Sequence, residues 1–241
     1  MKQIRRIKIP FHNQMTKLQT LLGWIYVPLH ILILPLLLNL YAEFSPNQMT
    51  LAQYNLLYYA AGTFFVLCVM LRFLRRDFDV LLDNLRLCLL CVVFALMIDY
   101  ALSTVSSLLL LLLEPELENP NNAAVMELAE GNYGVVKALA IFIAPLVEEM
   151  LFRGVVFGSI RTRNRGWAYV VSVLLFAVYH VWQYAVQGQD LSLLLYALQY
   201  IPISVVLAWL YERSGSLWMS IFFHMGFNAL NFYVMNLLEM L

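Results

Sequence analysis

Six polar side chains stand inside stretches that are otherwise apolar: Glu148, Glu149 and Arg153 in one, His180 in a second, His224 and Asn228 in a third. An ionisable side chain near the centre of a bilayer costs roughly 2.5–3.5 kcal/mol on insertion scales, so a cluster of them marks a site rather than an accident. Carboxylates and imidazoles exchange protons near neutral pH. These residue types suit a buried hydrolytic centre.

Spacing divides the roles. Glu149 and Arg153 are four apart, share a helix face and can pair. Glu148 is turned about 100° from Glu149, which leaves it able to face a cavity while its neighbour is neutralised. His224 and Asn228 are also four apart and can point at one ligand, and Phe176 has the same spacing to His180 and can wall it. Pro145, just before the glutamates, removes a backbone donor and favours a kink. Taken singly, each feature has a structural reading: an ion pair, an interhelical hydrogen bond, helix glue. Asp99, mid-span beside Tyr100, has no evident partner in the sequence.

The elements that must position these groups are membrane helices. Of the 241 residues, 62% are hydrophobic and only 12% charged, with mean hydropathy +0.75. Soluble domains run near half apolar and a quarter charged, so the expected fold is an all-α, polytopic membrane bundle. A span takes about 20 mostly apolar residues. Seven stretches qualify, about 21–41, 54–73, 86–113, 134–160, 166–186, 191–211 and 216–238, and the long third one would give an eighth if split. The first 133 residues read as N-terminal spans plus an acidic loop, and 134–241 as the core carrying the site.

Linker charge checks the count. Basic residues fill the N-terminal arm, the 72–86 region (Arg72, Arg75, Arg76, Arg86) and the short turn with Arg161, Arg163 and Arg165. Arg213 follows the sixth span. Linkers 42–53, 114–133 and 187–190 hold no Lys or Arg, and 114–133, with five glutamates and two prolines, is the expected mobile loop. The alternation puts the N-terminus in the cytoplasm and the C-terminus outside. From the cytoplasmic ends, Glu148, His180, His224 and Asn228 then sit roughly 18, 21, 12 and 18 Å deep at 1.5 Å per residue, near the middle of a core about 30 Å thick. The basic N-terminal stretch precedes a full-length span and does not read as a cleavable signal peptide. A net charge of zero gives no case for nucleic acid, and Cys68, Cys88 and Cys91 form no metal or disulfide pattern.

Three motifs carry a family resemblance. Glu148-Glu149-Met150-Leu151-Phe152-Arg153 fits EExxxR, Phe176-Ala177-Val178-Tyr179-His180 fits FxxxH, and His224-Met225-Gly226-Phe227-Asn228 fits HxxxN. The run from Leu210 to Trp218 is similar to the lead-in of the last motif. Together, over about 134–232, they resemble the CPBP family of CAAX proteases and bacteriocin-processing proteins (the Abi group). The resemblance implies hydrolysis of a peptide bond within the membrane, in a peptide or membrane protein that is lipidated in part of the family. It implies Glu148 as general base with His180, and His224 and Asn228 as oxyanion donors. Glu149, Arg153 and Phe176 would support them. The family is often labelled metallo; a zinc ion would take Glu148, His180 and His224, whereas a glutamate-activated water needs none. The same fold could also serve without catalysis, as a bacteriocin immunity factor or scaffold, and a Glu148/His180 proton relay is a third reading. The compact chain and the lack of an organelle-targeting signal are compatible with a bacterial plasma membrane.

Overall fold

A computed structural model describes residues 11–44, 49–113, 119 and 134–239. The acidic loop expected over 114–133 and the first ten residues therefore lie outside the described residues, Asn119 excepted. The described residues are helix and turn, without strands. Helix α1 covers Lys17–Phe44, α2 Leu51–Asp83 and α3 Leu85–Leu113. Helix α4 covers 134–161, α5 Arg165–Tyr179, α6 Trp182–Gln187, α7 Leu191–Ser214 and α8 Leu217–Glu239. Four of them (α1, α2, α3 and α7) are long and apolar enough to cross a membrane, and α5 is apolar but shorter. The protein is an integral membrane helix bundle. With α5 and α6 taken together, its described helices number seven, as expected.

Two boundaries differ from the expectation. The stretch after the second span is not a linker: α2 runs on through Asp83, because the amphipathic run Leu71–Asp83 buries Phe73, Leu74, Asp77 and Leu81 against the bundle. The fifth span is not continuous. Helix α5 stops at Tyr179, and α6 restarts at Trp182. The third span stays whole, which removes the eighth.

Helix α7 packs against α3, α5 and α8. Its C-terminus is closed by Gly215 in the left-handed region (φ 73°), a conformation glycine adopts without a Cβ penalty. The next helix, which carries His224 and Asn228, starts at once and is capped from far away in sequence. Asp77 of α2 accepts hydrogen bonds from Ser216 Oγ (2.8 Å), Leu217 N (2.7 Å) and Trp218 N (3.3 Å). A carboxylate at a helix N-terminus satisfies orphan donors and opposes the helix dipole. Asp77→Ala should therefore cost about 1–2 kcal/mol, read as a lower melting temperature in detergent. At the turn from α4 to α5, Glu212 of α7 accepts from Arg165 and Tyr169, fixing the basic turn to the central helix.

Close approach of α2 to α4 depends on Gly62. A Cβ there would stand 2.6 Å from a methyl of Val147 and 3.1 Å from His30 Cε1. Small residues let membrane helices approach backbone to backbone. Here the contact lies one residue from Glu148 and brings Tyr58 and Tyr59 beside it.

Candidate active site

Helix α4 is π-helical over Leu139–Ile143 and again over Met150–Phe157, on either side of the short α-helical turn that holds both glutamates. Such π stretches widen a helix and are frequent at functional sites. Pro145 explains part of the first one. Ala144 N donates to Leu139 O in the π pattern, so the next donor in register would be residue 145, and proline has none. The carbonyl left over, Ala140 O, accepts from Asn228 Nδ2 at 2.8 Å. Asn228 thus has one amide N–H committed to α4 and one left over, rather than a side chain free to point with His224.

The glutamates face different ways, on either side of the His224 ring. Glu149 is fully buried, and its Oε1 accepts from Arg153 Nη1 at 3.1 Å and His224 Nδ1 at 2.9 Å. Arg153 also donates to Ser204 Oγ (3.0 Å) and lies 4.1 Å over the Phe176 ring. Glu148 lines a cavity of about 490 Å³ together with His180, His224, Asn228 and Phe176. This volume falls within the range of small-ligand sites, about 300–1,000 Å³. Asp99 is buried on α3 and does not line it.

His180 sits at the break between α5 and α6. Its Nδ1 lies 2.9 Å from the carbonyl of Phe176, one of the terminal carbonyls that a helix end leaves without a backbone partner. A carbonyl only accepts, so Nδ1 carries the proton and Nε2 presents a lone pair. The ring is held between Phe176 (centroids 4.5 Å) and Tyr200 (4.3 Å, stacked). His224 also carries a proton on Nδ1, since the Glu149 carboxylate there only accepts. Both Nε2 atoms face Glu148 Oε2, at 3.8 Å from His180 and 3.9 Å from His224. The other oxygen, Glu148 Oε1, accepts from Tyr59 OH at 3.1 Å. Tyr58 and Tyr179 continue this phenol cluster, with 3.2 Å between their hydroxyls. Spacing in the sequence does not reveal the tyrosines, because a tyrosine in an apolar span is ordinary; only the helix contact at Gly62 identifies them.

The trio that a zinc ion would use does not fit one. Tetrahedral ligation with bonds of about 2.0–2.1 Å sets donor atoms about 3.4 Å apart. The two edges here are 3.8 and 3.9 Å. Among the described residues no three His, Cys, Asp or Glu groups are arranged to hold an ion. A water fits the same gap, since it reaches acceptors at about 2.8 Å.

Comparison with known proteins agrees with the motifs. Residues 132–230 match the family model described as type II CAAX prenyl endopeptidase Rce1-like. A curated relative, the UPF0177 protein YxdF of Lactococcus lactis subsp. lactis (strain IL1403), is 31% identical over 97 residues, which is 40% of this chain and 48% of the relative. The matched stretch thus spans about half the length of that relative. No solved structure matches. Glu148, His180, His224 and Asn228 lie inside the matched region, and Tyr58 and Tyr59 outside it. Over residues 132–230, the chain is similar to the Rce1-like, type II CAAX prenyl endopeptidase family.

Proposed function

We propose that the protein is an intramembrane endopeptidase that hydrolyses a peptide bond with a water held by Glu148 and His180. One observation carries the reading. Two imidazole Nε2 atoms, each with its Nδ1 committed, converge on one carboxylate oxygen at 3.8 and 3.9 Å. At the neutral His180 this sets acceptor against acceptor, a cost that a donor between them removes. A water donating to His180 Nε2 and to Glu148 Oε2 is that donor, and its free lone pair is left for a carbonyl carbon.

The chemistry follows from the residues. Glu148 takes a proton from the water as its oxygen bonds to the carbonyl carbon. The carbonyl oxygen becomes an oxyanion, and His224 Nε2 and the remaining amide N–H of Asn228 are its donors. His224 can donate there only as imidazolium, because its other N–H is held by Glu149. With His180 neutral, the buried charges of Glu148, Glu149, Arg153 and His224 then sum to zero, which a low-dielectric site favours. Collapse of the intermediate breaks the C–N bond, and the proton on Glu148 passes to the leaving amine. Glu149 and Arg153 act as positioning residues through His224 and Phe176.

Tyr59 is a further positioning residue, fixing Oε1 so that Oε2 faces the imidazoles. A hydrogen bond to a charged group is worth about 1.5–3 kcal/mol. Tyr59→Phe should lower kcat at least about tenfold with KM and melting temperature little changed.

The test of the function is release of fragments from a fluorogenic peptide set by purified protein in liposomes, set against Glu148→Gln. The break at His180 is the one feature that also suits a proton relay, but paired breaks at matching places in two repeats, the transporter pattern, are absent among the described residues. The linker charges favour an orientation with the N-terminus inside.

A further inference from the structure

We infer that Tyr58 is a positioning residue of the site: its hydroxyl fills a carbonyl that Pro35 leaves without a donor, and from there it holds Tyr179 and the His180 imidazole in place. This rests on the reading of the cavity as the hydrolytic site. Helix α1 is π-helical over Leu29–Ile33, where Leu34 N donates to Leu29 O. The next carbonyl in that register, His30 O, would take its bond from residue 35, and proline has no N–H. His30 is buried within a membrane helix, so no bulk water replaces the missing donor and the carbonyl must find one in the protein. Tyr58 OH of α2 lies 3.1 Å from it, in a buried contact. Two more prolines are matched in the same way. Asn228 Nδ2 fills Ala140 O behind Pro145, and Ser106 Oγ fills Leu198 O behind Pro202 at 2.5 Å. The pairing is thus a way this chain fixes one helix to another. At Pro145 and Pro35 the side chain so held lines the cavity.

The protons fix the order of the chain. The Tyr58 hydroxyl has one proton, and a carbonyl can only accept it. The 3.2 Å bond between Tyr58 and Tyr179 is therefore donated by Tyr179. Tyr179 is the last residue of α5, and its ring stands edge-on to His180 (centroids 5.1 Å, 88°) where the helix breaks. On the other side, the Tyr58 ring stands edge-on to Tyr59 (5.2 Å, 78°), whose hydroxyl donates to Glu148 Oε1. Tyr58 thus touches the support of the carboxylate and the support of the imidazole. It sets the gap between them, 3.8 Å from Glu148 Oε2 to His180 Nε2, in which the water is held. Misplacing reacting groups by about 1 Å can cost about a hundredfold in rate.

The test is cleavage kinetics in liposomes and melting temperature in detergent for purified full-length variants, run beside Glu148→Gln. Tyr58→Phe keeps the ring but strands His30 O and releases Tyr179. Its kcat should fall at least about tenfold with KM little changed, and its melting temperature should drop. Adding Pro35→Ala returns a backbone N–H to His30 O. The double variant should recover the melting temperature but not kcat. Tyr179→Phe leaves His30 O filled and should lose kcat alike at the wild-type melting temperature. A purely structural Tyr58 predicts that kcat returns with the melting temperature in the double variant, and that result overturns the inference. So does a wild-type kcat in Tyr58→Phe or Tyr179→Phe, or a double variant that melts as low as Tyr58→Phe. In those cases an inactive Glu148→Gln beside an active wild type leaves the hydrolase reading standing. Equal cleavage by wild type and Glu148→Gln, or none by either, fails the hydrolase reading itself and leaves Tyr58 nothing to position.

Discussion

Glu148→Gln is expected to abolish peptide cleavage, by about a thousandfold or more, while leaving the melting temperature of the protein unchanged. General-base contributions commonly run to about 10²–10⁴, and here the same oxygen also holds the nucleophile. Glutamine keeps the shape of the side chain and still accepts from Tyr59 through its carbonyl oxygen. It changes one thing that matters. Where Oε2 accepted, an amide N–H now donates, so the side chain can neither accept from the water nor take its proton. The variant should therefore fold at least as well as wild type and do no chemistry. Retained cleavage by the purified variant would remove Glu148 from the mechanism. An unfolded variant would mean that the carboxylate is a structural element.

The second large effect concerns the buried pair behind the cavity. Arg153→Ala removes a fully buried guanidinium that serves Glu149 and Ser204 and covers Phe176. Breaking one side of a buried ion pair costs about 3–5 kcal/mol, because the remaining charge is left in an apolar surround. Melting temperature and activity should both fall. Replacing both partners, Glu149→Gln with Arg153→Met, removes the stranded charge and should restore most of the stability, as apolar substitution of buried pairs often does. Activity should not return, since His224 loses the carboxylate that orients its ring. Full activity in the double variant would show that the pair does nothing for His224. Stability as poor as that of Arg153→Ala would show that the loss comes from packing rather than charge.

The helical bundle and the depth of its polar groups are legible in the residues themselves. Period and charge place Glu148 and Glu149 on different faces, and the four-residue spacing pairs Glu149 with Arg153. What spacing does not carry is any contact made across the bundle. The break after Tyr179 is invisible because Val181 and Trp182 continue the apolar run; at it the His180 imidazole meets the Phe176 carbonyl. Asn228 reads as a free partner of His224 until Pro145 is seen to leave Ala140 O without a donor. Asp77 reads as one acid in a charged stretch, yet it caps a helix that starts 140 residues later. Tyr59 comes from the half of the chain outside the matched family region, and reaches Glu148 only because Gly62 lets α2 sit against Val147.

The most direct measurement is a catalogue of new protein N-termini in membranes of cells that make the wild-type protein or Glu148→Gln at equal levels. A defined set of termini, present only with wild type, is the expected outcome. Identical catalogues from the two strains, with both proteins folded and inserted, would contradict a water-activating carboxylate at Glu148 and with it the whole account.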